Sequence, residues 1–258
     1  MTADYIDFHA AERPDAVAII NNGRSITYPQ VARDIRKFTH ALRALGLPPG
    51  SKAVIDCEDA YHNWLLRLAF EPLRVITATV KLPDRPDGLS LVSDSDIALS
   101  SKNFTAGTRP RHLRTTPEWL RATLASGDED REPTPEKLPH DPIRIVLTSG
   151  TTGRSKTLLY TRRVHETSIA RTLWRAGFTR RSRYLLALPN TVAGPTACLR
   201  AGGTVVIEER MPVGAAISTH AITHTTLPPF MLKHVLDELP AGHARSTELM
   251  VLSFGAAL

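Results

Sequence analysis

Ile143-Arg144-Ile145-Val146-Leu147-Thr148-Ser149-Gly150-Thr151-Thr152-Gly153-Arg154-Ser155-Lys156-Thr157-Leu158-Leu159-Tyr160 holds two β-prone runs joined by hydroxyls, glycines and one lysine. The first run, Ile143–Leu147, is a continuous apolar strand interrupted only by Arg144, and Lys156–Tyr160 reads as a second strand. Gly150 and Gly153 let the backbone approach a ligand closely and take positive φ where a turn needs it. Successive backbone N–H groups in such a loop form a nest for anions. Thr148, Ser149, Thr151 and Thr152 add donors without charge, and Lys156 adds a cation that reaches phosphate oxygens. This is chemistry suited to a polyphosphate tail. The bland alternative is a surface loop without a ligand, since Ser, Thr and Gly are ordinary loop formers.

A second phosphate-loop pattern competes. Gly150 followed by Ser155-Lys156-Thr157 is one substitution from G-x-x-x-x-G-K-[ST]. Two features disfavour it: the second glycine is replaced by Ser155, with Gly153 falling too early, and a Walker-type loop opens a helix at its lysine. Thr157-Leu158-Leu159-Tyr160-Thr161 is β-prone instead.

Outward from the loop, strand patterns alternate with helical ones, which implies α/β architecture with layered, largely parallel sheets and flanking helices. Ala16–Ile20 and Ser25–Thr27 read as strands around the turn signal Asn21-Asn22-Gly23. Thr27 with Gln30 forms a capping box, Pro29 sits in the first turn, and Val31, Ile35, Phe38, Leu42 and Leu45 fall at helical spacing up to Gly46. Further strands are expected at 52–56, 75–80, 96–99, 184–188, 204–207, 223–227 and 249–253. Helices are expected at 60–70, 117–124, 164–176 and 230–239, and the stretch 81–111 gives little signal. Residues 126–142 are rich in Asp, Glu and Pro and read as an exposed connection. The expected organisation is a first α/β lobe at 1–126, a connection at 127–142, and a second lobe at 143–258 that bears the loop.

The 258 residues suffice for one large or two ordinary domains, and 42% hydrophobic with 22% charged residues argues against disorder or a fibre. Cys57 and Cys198 match no metal or redox spacing, as expected of two reduced thiols, and no metal site is assigned. The N-terminus lacks a basic stretch followed by an apolar run, and no apolar run reaches the ~18–20 residues a bilayer requires. The expected compartment is the cytoplasm, with no membrane span. The net charge of +6 comes from 25 Arg and 7 Lys against 26 acidic residues. The densest cluster, Arg171, Arg175, Arg180, Arg181 and Arg183, is expected to be a solvated helix face and turn, without aromatics arrayed to stack on bases. Nucleic acid is not expected as a partner. His165, His220 and His224 pair with no acid at a recognisable catalytic spacing.

Thr148 to Lys156 resembles the signature loop of the AMP-forming adenylating superfamily: acyl-CoA synthetases, peptide-synthetase adenylation domains and luciferases. It departs only at Ser155, where that family usually carries proline. Other stretches resemble the family in the same order. They are Glu12–Ala18, Ile26–Val31, Leu199–Val206, Thr223–Pro229, and the terminal Ser253-Phe254-Gly255-Ala256-Ala257-Leu258. The resemblance implies the fold of the N-terminal subdomains of adenylate-forming enzymes. It also implies activation of a carboxylic acid with ATP and Mg2+ as an acyl-adenylate, then transfer to a thiol of CoA or a carrier protein. Thr148, Ser149, Thr151, Thr152 and Lys156 would contact phosphate, Gly150 and Gly153 would allow its approach, and Gly255 and Ala256 would lie against nucleotide or acyl group.

The resemblance also implies parts beyond Leu258, including a Tyr-Gly-x-Thr-Glu segment with the magnesium glutamate and a later catalytic lysine. The chain is therefore expected to be a fragment or truncated product, with no catalytic residue assigned inside it. Leu188-Pro189-Asn190-Thr191 departs from the family's aromatic-histidine pair, the helix after it looks short, and the glycine expected near Leu73 is missing. Two alternatives stay open: a truncated or degenerate nucleotide-binding module without turnover, and a P-loop NTPase.

Overall fold

In the computed structural model, residues 2–80, 91, 94–102, 111–127, 138–148, 156–188, 191–239 and 249–253 are described. Asn22 and Gly23 both take positive φ, 49° and 80°, as a two-residue hairpin turn requires. They fold β2 (Arg24–Thr27) antiparallel onto β1 (Val17–Asn21). The chain then enters α2 (Tyr28–Arg43) through the expected capping box: the Thr27 N–H donates to Gln30 Oε1 at 2.8 Å, and the Gln30 N–H to Thr27 Oγ1 at 3.5 Å.

Contacts divide the chain into two units, Met1–Ala32 with Glu166–Leu258, and Arg33–His165. The first unit is built on a six-stranded sheet, ordered β12 (Met250–Leu252), β11 (His224–Thr226), β9 (Arg183–Leu185), β10 (Thr204–Ile207), β1, β2. All its pairs are parallel except β1–β2. The second unit's sheet is ordered β6 (Arg111–Arg114), β5 (Ile97–Ser100), β3 (Lys52–Asp56), β4 (Ile76–Thr79), β7 (Pro142–Thr148), β8 (Lys156–Thr161). Again one hairpin, β7–β8, forms an antiparallel edge on an otherwise parallel sheet. The expected boundary at 127–142 lies partly outside the described residues, and the contact division runs elsewhere: 143–165 groups with 33–142.

The described residues also form helices α1 (Thr2–Glu12), α3 (Ala60–Phe70), α4 (Pro117–Ala125), α5 (Arg162–Ala176), α6 (Ala193–Arg200), α7 (Val213–Thr219) and α8 (Pro229–Glu238). Leu185, Val206, Ile217, Ile222, Leu227 and Val235 form the core on one face of the first sheet. In the second unit Val54, Ile76, Ala78, Ala98 and Ile145 do the same. Asp59 starts α3 by accepting the His62 N–H at 2.7 Å, and Thr116 starts α4 with Pro117 at its first position.

The short α6 ends where three distant side chains take its carbonyls. The Tyr28 hydroxyl donates to Gly203 O at 2.7 Å and lies 3.3 Å from Leu199 O, Arg13 donates to Gly202 O at 3.0 Å, and His9 Nε2 donates to Arg200 O at 3.0 Å. Carbonyls at a helix end have no partner within the helix, so these bonds replace water in a buried place. Gly203 cannot carry a side chain, because a Cβ there would stand 2.7 Å from Ser182 O and 2.8 Å from Cys198 Sγ. Thus the Leu199–Val206 stretch is a close helix-to-strand turn tied to the chain's first thirty residues.

His224 on β11 is buried and fully used. Its Nε2 donates to Ala176 O at 2.9 Å, its Nδ1 sits 2.7 Å from Thr223 Oγ1, and its ring stacks on Phe178 with centroids 4.2 Å apart. Burial lowers its pKa below the usual histidine value of 6.5, with the Ala176 bond opposing. The unfolded chain therefore takes up a proton at a higher pH than the folded one. The stabilisation from neutral His224 is complete above about pH 6.5 and falls away as pH drops through the folded pKa. Urea midpoints measured from pH 7.5 to pH 5 are expected to decline, and His224→Gln to flatten that decline.

Candidate functional site

The pairing of β7 with β8 runs from Pro142↔Thr161 to Thr148↔Lys156, with one irregularity near Pro142. The loop between them is thus anchored at both ends on facing strand positions, about 5 Å apart between Cα atoms. Lys156 opens a strand, as expected, and a Walker-type loop would open a helix there. Strands β3, β4, β5, β6 and β7 run parallel, so Asp56, Thr79, Ser100, Arg114 and Thr148 end on one edge of the sheet. In open α/β sheets that carboxyl edge is where ligands bind.

Thr148 and Lys156 are therefore placed together by their backbones. Ser149, Gly150, Thr151, Thr152 and Gly153 lie outside the described residues, as do Gly255 and Ala256, which follow β12. At the same edge, Ser100 Oγ donates to the buried Asp56 carboxylate at 3.4 Å and accepts the Lys102 N–H at 3.0 Å. Neither residue stood out in the sequence, where Asp56 reads as the last residue of an ordinary strand and Ser100 as the residue after one. His220, unpaired in sequence terms, lies 3.4 Å from Glu208 Oε2. The Glu208 carboxyl is held below its usual range, first by the hydrogen bond from Arg210.

Arg171, Arg175, Arg180 and Arg181 are exposed, as a solvated face requires. One expectation needs correction: an aromatic does interleave, because Trp174 stands 81% exposed between Arg171 and Arg175. Its position one helical turn beyond Arg171 places it on the same face. Among the described residues, no helix is long and apolar enough to cross a membrane, and no group of three His, Cys, Asp or Glu side chains is placed to hold a metal ion.

Two largely parallel sheets, with a hairpin loop issuing from the carboxyl edge of one, define an α/β protein of the ligand-at-the-strand-ends class. A profile of the family described as "AMP-binding enzyme" matches residues 74–258, well over half of the sequence, and the chain belongs to that family. Among curated proteins it is 25% identical to the fatty acid–[acyl-carrier-protein] ligase MmaC of Mycobacterium marinum, over 96% of this chain and 51% of that protein. It is also 25% identical to enterobactin synthase component E of Escherichia coli, over 98% and 53%. The chain spans about half the length of these relatives. Solved structures share the fold. The NpsA N-terminal subdomain of Klebsiella oxytoca, in complex with 3-hydroxybenzoyl-AMSN, superposes with TM-score 0.79 at 20% identity, over 98% of this chain and 66% of that one. The O-succinylbenzoate coenzyme A synthetase of Bacillus subtilis, in complex with AMP, superposes with TM-score 0.80 at 19% identity, over 98% and 68%.

Burial favours the neutral thiol at both cysteines. Cys57, at the carboxyl end of β3, is buried, and burial pushes its thiol up to about 12, with Asp59 adding to the rise. Burial raises the Cys198 thiol as well. The thiolate is the reactive species, so both should resist alkylation in the folded chain. Iodoacetamide at pH 8 is expected to leave the native protein unlabelled by intact mass and to add two groups after denaturation.

Proposed function

We propose that this chain provides the N-terminal, pyrophosphate-gripping part of an AMP-forming ligase that activates a carboxylic acid with ATP and passes it to a thiol of CoA or a carrier protein. The observation that carries the reading is the register of the β7–β8 hairpin, which sets Thr148 and Lys156 at the two roots of a hydroxyl- and glycine-rich loop on the carboxyl edge of a parallel sheet. Membership of the AMP-binding family and the names of the half-matched ligases support it. The carboxyl edge and its cationic root fit the triphosphate by charge.

In this reading Thr148, Ser149, Thr151 and Thr152 donate to the β- and γ-phosphates, and Gly150 and Gly153 leave room for them. Lys156 neutralises the charge that builds on the leaving pyrophosphate. Gly255 and Ala256 border the nucleotide or acyl group. Magnesium, when bound, screens the phosphate oxygens, and the resemblance places its glutamate beyond the residues of this chain. The parent protein works in the cytoplasm, in keeping with two free buried thiols. The lobe organisation 1–126, 127–142 and 143–258 remains our reading of how the sequence is punctuated.

Lys156→Ala is expected to weaken ATP binding about tenfold or more, measured by calorimetry, because it removes one charge-assisted contact. Carboxylate-dependent ATP–pyrophosphate exchange by the chain would establish turnover. ATP binding without exchange would assign it as a binding module, and phosphate release without any acid would favour the NTPase reading. Undiminished ATP binding by the Lys156 variant would refute the phosphate grip.

A further inference from the structure

At the opposite end of β7 and β8 from the loop, the second unit has a cavity of about 130 Å³. Val75, Pro142 and Ile143 give it an apolar wall, while Arg74, Arg162, Glu71 and Asp141 bring charge. Asp141 is already engaged: its carboxylate oxygens lie 3.3 Å from Arg74 and one accepts the Leu138 N–H at 3.1 Å. Arg162 opens α5, with Arg163 beside it and no acidic residue in the first turn. Two cations thus occupy a helix N-terminus, the end that favours an anion. The Arg162 Nε is buried without a hydrogen-bond partner.

Behind this wall lies a larger imbalance. Arg67 on α3 is 2% exposed and Arg144 on β7 is 7% exposed. The Nε of each is buried without a hydrogen-bond partner. Desolvation lowers both pKa values, and Arg144 lowers that of Arg67 further, while Glu71 is the charge that favours each cation. Glu71 therefore serves two buried arginines and also lines the cavity. The lining pairs Arg74 and Arg162 with Glu71 and Asp141, and Arg67 and Arg144 add two cations within the influence of Glu71, whose Oε2 is itself buried without a hydrogen-bond partner. Uncompensated buried charge is costly, and an anion placed here would relieve it.

We infer that this cavity at the base of the β7–β8 hairpin is a binding site for a small monocarboxylate with an apolar body, separate from the phosphate loop. The planar Arg162 fork suits a carboxylate, and Val75, Pro142 and Ile143 suit a hydrocarbon or aromatic body. The volume is close to that of a cavity that accepts benzene, roughly 150 Å³. A phosphate dianion fits less well, because Glu71 and Asp141 share the wall and would repel its second charge.

The test uses the intact chain and 4-fluorobenzoate without nucleotide, followed by fluorine NMR. Saturable binding is expected, with Arg162→Gln weakening it about tenfold through loss of the charge-assisted fork. Ile143→Trp, which fills the apolar wall and leaves the charges in place, should also abolish binding. It carries the test if Arg162→Gln fails to fold. Inorganic phosphate should displace the probe only weakly. Absence of saturable binding, binding unchanged in either folded variant, or equally potent displacement by phosphate would each overturn the assignment. Lys156→Ala should bind the probe as the unsubstituted chain does, and so separates this site from the ATP-binding reading.

Discussion

The antiparallel ladder between β7 and β8 is the constraint on which the candidate site depends. A flexible stretch of hydroxyls and glycines has no reason to hold one conformation by itself. Here its two ends are cross-strand neighbours, Thr148 and Lys156, so the entropy of closing the loop is met by strand pairing rather than by the loop's own contacts. The ladder is itself fixed on one side only. β7 pairs with β4 through Thr77↔Arg144 and Ala78↔Ile145, whereas β8 is the sheet's edge, with Leu158 and Leu159 substantially exposed. Geometry at the loop's roots thus traces back through β7 to the parallel core at Val54, Ala78 and Ala98.

Much of this was legible because local signals and tertiary packing agree. The Asn-Gly turn, the Thr27–Gln30 capping box and the apolar periodicity of α2 each announce an element that packing then keeps. What escaped was written in weaker terms. β6 is Arg-His-Leu-Arg, an edge strand that alternates no apolar face. α7 has seven residues, too few for a helical period to show. α1 mixes apolar and acidic residues around its circumference, and its tie to the fold lies in His9, which bonds a carbonyl nearly two hundred positions away. The residue types of the loop could be read directly, whereas Asp56 and Ser100 become its edge-mates only once strand order is known.

Arginine has two distinct uses in the chain. On α5 it keeps a helix face in water, with Trp174 standing among the cations. On α3 and β7 it is driven inward, where Arg67 and Arg144 share the influence of one carboxylate. The apolar run of β7 left Arg144 visible as an interruption, although sequence could not say that the side chain stays buried. A charge so placed makes the strand's position depend on what surrounds it, which a wholly apolar strand would not.

β1 takes its place beside β10 by pairing Ile19 with Val205, and Tyr28 reaches Gly203. The first unit therefore joins residues 1–32 to residues beyond 166, while the second is one continuous stretch, 33–165. On a ribosome the continuous unit can complete its sheet first. The N-terminal hairpin must wait, with the side of β1 away from β2 unpaired, until β10 has been made. Long-range pairing of this kind slows folding and prolongs exposure of an unpaired strand. The hydroxyl of Tyr28 is then a late-forming latch, and the speed of translation between β1 and β10 sets how long the nascent chain stays open to aggregation.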